Sequence, residues 1–188
     1  MGIAPIFAAL IHGSFAGYFT DTSIVREDRI LAGIGLRQEG FGLTWQHALQ
    51  DGIGWEAGTG LGLTDGLRLL LGASQTWRIE TRLRPRVHAG LLFASGYSLR
   101  DIHMTVNGTD TSTFSYQTKP SISAYLAGGL QWRLFGRFGI EADGVYVQSL
   151  VGGGYTLNST GDDGPIRKLL EATTGSGIGW AGRLFLEF

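Results

Sequence analysis

Residues 178–188 decide the fold class. They read Ile178-Gly-Trp-Ala-Gly-Arg-Leu-Phe-Leu-Glu-Phe188, with apolar or small side chains at every even position and charges at the odd positions 183 and 187. A period of two residues is that of a β-strand, whose side chains alternate between two faces. In a soluble sandwich the apolar face would pack in a core, whereas in a membrane barrel it would meet lipid and the charges would fill the lumen. The pattern alone leaves both open.

Three more segments share this period, at residues 53–63, 121–134 and 138–146. Each is long enough to cross a bilayer as a tilted strand, which takes about 9–11 residues. Trp and Tyr lie near the segment ends, where interfacial girdles would place them. We therefore predict an all-β protein whose residues 1–188 form one domain, a closed antiparallel up-and-down transmembrane β-barrel. A soluble barrel or sandwich, such as a calycin-like binder, is the alternative.

Composition excludes several function classes. The net charge of −1 gives no basic surface for nucleic acid, and the absence of cysteine excludes disulfides and thiolate metal sites. His47, His88 and His103 show no metal-ligand spacing, and the glycine-rich stretches lack the helix that a phosphate loop needs. We expect no metal, no cofactor and no nucleic-acid partner. The 31 glycines fit curved strands, where a neighbouring backbone or side chain approaches closely.

Turn signals predict eight strands, with ten as the alternative. The predicted strands cover residues 4–20, 28–48, 53–63, 67–80, 86–106, 113–135, 138–152 and 176–188. In 28–48 the apolar positions change parity near Glu39-Gly40, which indicates either a bulge or a turn. A turn there, with a second split near Gly96–Leu99, would give ten strands. Residues 1–16 also fit a signal-peptide core, although we interpret them as part of the first strand. Pro165–Thr173 is predicted to form one or two helical turns within a polar loop.

Two stretches resemble known outer-membrane proteins. Trp180-Ala-Gly-Arg-Leu-Phe-Leu-Glu-Phe188 resembles the closing strand of bacterial outer-membrane proteins, and Leu83-Arg-Pro-Arg-Val-His-Ala-Gly-Leu91 is similar to a strand of the OmpA, OmpX, opacity-protein and lipid A deacylase barrels. The resemblance implies an outer-membrane location, contact with membrane lipid and lipopolysaccharide, and recognition of Phe188 by the barrel-assembly machinery. We expect a monomer.

The inward face of the predicted barrel carries many charges. The inward set is Arg37, Glu56, Arg68, Arg78, Arg133, Glu141, Asp143, Arg183 and Glu187. An eight-stranded barrel is nearly filled by its own side chains, and charges buried there must be paired. We predict a lumen charge network built on Glu56, Arg133, Glu141, Asp143, Arg183 and Glu187 that closes the barrel. The alternative is a narrow gated conduit for small solutes.

No residue is predicted to be catalytic. The deacylase resemblance implies a His-x-Ser-Asn-type motif on the seventh strand, but the matching region, Val145-Tyr-Val-Gln-Ser149, lacks histidine. His12-Gly-Ser14 lies on the first predicted strand, without the following Asn and facing the lumen. We therefore predict a non-enzymatic surface or structural protein that acts through loops 107–120 and 153–175. A lipid A-modifying hydrolase and a conduit remain the alternatives.

Overall fold

A computed structural model describes residues 28–36, 38, 40–50, 52–77, 81–106, 110–160 and 163–188. Its elements are β1 (Asp28–Gly35), β2 (Gly40–Gln50), β3 (Ile53–Gly62), β4 (Gly66–Thr76), β5 (Leu83–Ala94), β6 (Tyr97–Val106), β7 (Asp110–Thr118), β8 (Ser121–Phe135), β9 (Phe138–Gly152), β10 (Tyr155–Thr160), α1 (Gly164–Thr173) and β11 (Gly177–Glu187). Among these residues, no helix is long and apolar enough to cross a membrane.

Eight of the described strands form a closed barrel. Each pairs antiparallel with its neighbours in the order β1-β2-β3-β4-β5-β8-β9-β11, and β11 pairs with β1 to close the ring. The closing register runs from Arg29 opposite Glu187 to Gly35 opposite Ala181. The predicted eight-stranded up-and-down barrel is confirmed. Full closure matters because it leaves no strand edge with unpaired backbone groups inside a bilayer.

The eight strands differ from those predicted. Residues 28–48 form two strands, so the change of parity marks a turn, and Gly40 takes the positive φ of 70° that such a turn requires. Gly96, also at positive φ, separates β5 from β6, so the predicted strand 86–106 is two elements. The predicted strand 113–135 likewise divides into β7 and β8. The predicted strand 4–20 lies outside the described residues, and the barrel closes with strands from 28–187.

A second small structure stands on one end of the barrel. β6, β7 and β10 form a three-stranded sheet in the order β10-β7-β6, and α1 packs against it. Phe114, Tyr116 and Leu170 form its buried centre. Helical structure in Pro165–Thr173 is thereby confirmed, with Pro165 in the first turn, where its missing N–H is not needed. We call β6, β7, β10 and α1 the cap.

The other end of the barrel carries short turns. These connections join β2 to β3, β4 to β5 and β8 to β9, and Asp28 and Phe188 meet beside them through two backbone hydrogen bonds. We call this the short-turn end. Outer-membrane barrels have short turns on the periplasmic side and longer loops outside the cell. In this barrel the two longest connections, from β5 to β8 and from β9 to β11, lie at the cap end.

The barrel exterior is apolar. Trp132, Leu134, Ile140, Trp180, Leu184 and Leu186, which the alternation places outward, are all exposed in the structure. Leu43, Leu61, Leu71, Leu91 and Leu130 extend the same surface around the barrel. An apolar surface of this extent is rare on a soluble monomer and suits a hydrocarbon environment.

Candidate functional site: the lumen and its cap

Glycines on the inward face make room for large lumen side chains. A Cβ on Gly72 would lie 2.1 Å from the Tyr125 hydroxyl oxygen, and one on Gly139 would lie 2.2 Å from the Phe185 ring. A Cβ on the outward-facing Gly144 would meet nothing closer than 3.9 Å. The inward glycines therefore have a packing role, and the side chains that they admit form the lumen network described below.

Glu56 is the centre of the lumen. Its carboxylate is fully buried and accepts hydrogen bonds from the Tyr125 hydroxyl at 2.6 Å and from Gln46 at 3.2 Å. Nδ1 of His88 lies 2.6 Å from the same carboxylate, and Arg86 forms an ion pair with it. Four side chains from β2, β5 and β8 thus converge on one charge from β3. A buried carboxylate needs such a set of donors because desolvation alone strongly disfavours it.

Two further carboxylates extend this layer toward β11. Glu141 lies 2.7 Å from Arg86 and 3.1 Å from Arg183. Asp143 lies 2.7 Å from Arg183 and 3.3 Å from Nε2 of His88. His88 therefore stands between Glu56 and Asp143. Three carboxylates here face two arginines, so a protonated His88 would make the layer neutral.

A second layer lies at the short-turn end. Glu187 forms an ion pair with Arg29, whose Nε lies 2.9 Å from Oε1 of the carboxylate. Arg84 and Arg133 form ion pairs with the same carboxylate. Arg29 also donates to the Gln131 side chain at 3.0 Å, and Gln131 in turn donates to Glu141. Gln131 therefore joins the short-turn layer to the central layer.

A third layer closes the cap end. Arg68 pairs with Asp65 at 2.8 Å, donates to the backbone oxygen of Gln38, and donates to the backbone oxygen of Thr173 at 3.2 Å. Thr173 is the last residue of α1, where the helix exposes unpaired carbonyls that favour a cation. The Gln38 side chain also accepts a hydrogen bond from Arg183 at 3.3 Å, which ties this layer to the central one.

Hydrogen bonds from threonine hydroxyl groups connect the cap to the barrel rim. Thr64, in the β3–β4 turn, shares a hydrogen bond of 2.6 Å with Thr173, and Thr118 of β7 donates to the Thr64 backbone oxygen at 2.9 Å. On the outer side of α1, Arg167 donates to Asp163 at 2.8 Å and holds the pKa of that carboxyl below its usual range. The helix end of the cap therefore sits on the rim through buried contacts, while its outer pair is exposed.

The lumen network runs through the barrel without interruption. From the short-turn end it passes through Arg29, Gln131, Glu141, Arg183 and Gln38 to Arg68 beneath the cap. Among the described residues it contains six arginines and five carboxylates, which are Arg29, Arg68, Arg84, Arg86, Arg133, Arg183, Glu56, Asp65, Glu141, Asp143 and Glu187. The charges are nearly balanced, as burial requires.

The structure places all six residues of the predicted network inside the barrel. Arg133, Glu187, Glu141, Asp143, Arg183 and Glu56 each take part in an ion pair. Arg68 of the wider inward set lies beneath the cap, while Arg37 and Arg78 fall outside the described residues. Phe188, the predicted assembly signal, is exposed at the short-turn end, next to Asp28.

Sequence reasoning missed the contribution of β5. Arg84, Arg86 and His88 occupy every second position of β5 and all point inward, where they supply charges and donors to the central and short-turn layers. The signal was present, because the three residues have a period of two within residues 83–91. The predicted strand began at residue 86, so Arg84 was left outside it and the run of three inward side chains was not recognised. Arg29, Gln131 and Tyr125, which belong to the same network, were also missed.

The described residues contain no cluster of His, Asp and Glu side chains with the geometry of a metal site. His12 and Ser14, the pair weighed as a possible catalytic set, lie outside the described residues. Ser149, in the region matching the deacylase motif, contacts the Gly152 carbonyl and Ser176.

A closed eight-stranded barrel with an apolar exterior and a charged interior is the fold of the small bacterial outer-membrane β-barrels. Solved structures of that class share the fold. The N-terminal β-barrel domain of Pseudomonas aeruginosa OprF matches with a TM-score of 0.52 and 16% identity over 86% of this chain and 97% of that one. Acinetobacter baumannii CarO2 matches with a TM-score of 0.53 and 13% identity over 89% and 100% of the two chains.

A major outer membrane protein from Thermus thermophilus matches with a TM-score of 0.51 and 13% identity, over 87% of this chain and 100% of that one. No protein-family model matches the chain, and no curated protein matches it significantly in sequence. At these identities the comparisons establish the fold, and the activity must be argued from this chain's own residues.

Proposed function

We propose that this protein is an integral outer-membrane barrel with a sealed lumen, and that it acts at the cell surface through its cap as an interaction or structural protein. The observation that carries the proposal is the lumen network, which crosses the barrel from Arg29 to Arg68. A pathway for solutes would need these buried ion pairs to separate, and each separated charge would be left buried and unpaired.

The cap supports a role at the surface. It is a folded unit with its own apolar centre at Phe114, Tyr116 and Leu170, and it sits on the rim through buried hydrogen bonds from Thr64 and Arg68. A loop that only connected two strands would need no core of its own. A rigid barrel that presents an ordered external structure is a common arrangement for binding, because function in such folds lies in the loops.

The proposed orientation is testable because the chain has no cysteine. Ser98→Cys places one thiol on the exposed side of the cap, and Arg137→Cys places one in a short turn. In intact cells, a membrane-impermeant maleimide should label Ser98→Cys and should label Arg137→Cys only after the outer membrane is permeabilised. Equal labelling of both variants in intact cells, or recovery of the protein in the soluble fraction, would contradict the proposal.

The sealed lumen predicts a specific result for reconstituted protein. Liposomes that contain the wild-type barrel should swell in small sugars and amino acids no faster than empty liposomes. A variant with both Glu56→Gln and Glu141→Gln is the control for a loosened lumen, provided that it still inserts. Rapid swelling with the wild-type protein would favour the conduit.

A further inference from the structure

A shallow groove lies on the outer surface of the barrel, in the half nearer the short-turn end. Its floor is low because Ala57 and Thr59, the outward residues in the middle of β3, are small, whereas Trp55 and Leu61 on either side of them are large. The residues that line the groove come from β1, β2 and β3 and are Ile30, Leu43, Thr44, Trp45, Ala57, Gly58 and Thr59.

Large apolar side chains form both walls of the groove. Leu43 and Trp45 of β2 pair with the two floor residues on one side, and all four wall residues are exposed. Leu69 and Leu71 of β4 pair with the floor residues on the other side. Because neighbouring strands lie about 4.8 Å apart, the walls are about 10 Å apart. A helix of a partner protein, itself about 10–12 Å across, would rest on the walls, whereas one extended alkyl chain can lie on the floor.

An aromatic cluster lies at the end of the groove nearest the short turns. The ring centroids of Trp45 and Trp55 are 4.6 Å apart in an edge-to-face arrangement, and the His47 ring lies 5.7 Å from Trp55. Nδ1 of His47 lies 2.5 Å from the Asp28 carboxylate, so the cluster has a polar edge. The two indole N–H groups form no hydrogen bond within the part of the chain that the structure describes. At a membrane–water interface such groups donate to lipid headgroups.

The groove and the cluster together have the dimensions of one leaflet. From Trp55 to Thr59 the strand advances about 13 Å, which a tilt of about 35–45° reduces to roughly 10 Å of depth. The hydrocarbon core is about 30 Å thick, so the groove lies within the leaflet on the short-turn side. Lipid tails are as apolar as leucine, so apolar burial alone would not hold one chain in place. Close packing in the groove and the donors at its end act on two parts of the same lipid.

We propose that this groove binds one phospholipid of the leaflet on the short-turn side. One acyl chain lies on the floor formed by Ala57 and Thr59, and the ester and phosphate oxygens accept hydrogen bonds at Trp55 and Trp45. The choice of a phospholipid rests on the proposed orientation, with the cap at the cell surface. The site itself is independent of what the cap binds, because it lies on the outer wall at the opposite end of the barrel.

Photoactivatable phosphatidylcholines test the proposal in nanodiscs of ordinary phosphatidylcholine. A probe with a diazirine near the glycerol should label Trp55 and residues 45–47, and a probe with the diazirine near the chain end should label residues 41–43 and 59–61. Labelling of β2 and β3 should exceed that of the equally apolar β8 and β9 about threefold. Both leaflets of the nanodisc contain the same lipid, so the result does not depend on the orientation, which the two cysteine variants test separately.

Ala57→Leu fills the floor of the groove and should lower the labelling of β2 and β3 to that of the other strands. The matched variant Ala142→Leu adds the same volume on the outward face of β9 and should leave the labelling unchanged. Thr59→Leu repeats the test if Ala57→Leu does not insert, which heat-modifiable gel migration reports. The proposal is wrong if labelling is even around the barrel, if filling the floor has no effect, or if the two probes label in the reverse order.

Native mass spectrometry of barrels released from the same nanodiscs provides an independent measurement. The wild-type protein should retain one phospholipid per monomer, and the variant with the filled floor should retain none. A lipid-free dimer of the wild-type protein that the filled floor disrupts would overturn the proposal, because it would assign the groove to a second copy of the chain.

Discussion

Replacing Tyr125 by phenylalanine removes one hydroxyl from the middle of the lumen and leaves the ring in place. That hydroxyl donates to Glu56 at 2.6 Å, in a site where the carboxylate is fully buried. A hydrogen bond to a charged group contributes about 1.5–3 kcal/mol, so Tyr125→Phe should lower the free energy of unfolding by that amount. Glu56→Gln keeps the shape but removes the charge that pairs with Arg86, and should cost about 3–5 kcal/mol.

The double variant separates the lumen network from simple packing. Once residue 56 is neutral, the Tyr125 hydroxyl makes only a neutral hydrogen bond, and losing it should cost about 0.5–1.5 kcal/mol. The two substitutions should therefore be coupled by roughly 1–2 kcal/mol. The matched control is Tyr146→Phe on the exterior, where the hydroxyl donates to Gln148 at 2.8 Å. It should change stability by less than about 0.5 kcal/mol.

Urea unfolding in lipid vesicles, followed by tryptophan fluorescence and by heat-modifiable gel migration, measures these differences. The barrel has five tryptophans to report on unfolding. Strict additivity of Tyr125→Phe and Glu56→Gln would show that the hydroxyl and the carboxylate do not interact. Equal costs for Tyr125→Phe and Tyr146→Phe would remove the reason to treat the central layer as a stabilising network.

Two further predictions use the same unfolding assay, and a third uses limited proteolysis. Gly139→Ala should lower the free energy of unfolding by about 1–3 kcal/mol, because the added methyl group overpacks against the Phe185 ring. Gly144 faces outward, and Gly144→Ala should leave the stability unchanged. Equal losses of stability in the two variants would contradict the packing role of the inward glycines. Leu184→Arg should cost about 2–4 kcal/mol if the residue meets lipid near the midplane, and a neutral result would place that surface in water. Arg68→Gln should loosen the contact between the cap and the barrel and speed limited proteolysis of the cap. Arg167→Gln removes an exposed ion pair and should leave the cleavage rate unchanged. The same cleavage rate in both variants would mean that Arg68 does not hold the cap.

Period-two alternation was enough to predict the architecture and the outward face. In 178–188 it separates Leu184 and Leu186 from Arg183 and Glu187, and the structure has these pairs on opposite faces. It also placed Glu141 and Asp143 inside. Alternation succeeds here because side-chain direction in a strand is local, so no knowledge of the neighbouring strands is needed.

Strand boundaries and partners were harder to predict. The connection between β1 and β2 could be a bulge or a turn in a single sequence, and the break at Gly96 could lie within one strand or between two, because the apolar pattern continues on either side of each. Whether β6 continues the barrel or leaves it depends on its pairing with β7 and on the cap's buried centre, which are long-range contacts. The pairing of Arg86 with both Glu56 and Glu141 depends likewise on the register of β5, β3 and β9, which alternation does not determine.

Electrical recording from the purified barrel in a planar bilayer tests the central claim most directly. If the lumen network from Arg29 to Arg68 seals the barrel, insertion of the wild-type protein should leave the membrane at its bare conductance across the physiological voltage range. Insertion itself is verified independently by heat-modifiable migration of protein recovered from the membrane. Steady unitary currents that rise linearly with voltage, from verified wild-type insertions, would contradict a sealed lumen and identify the protein as a conduit.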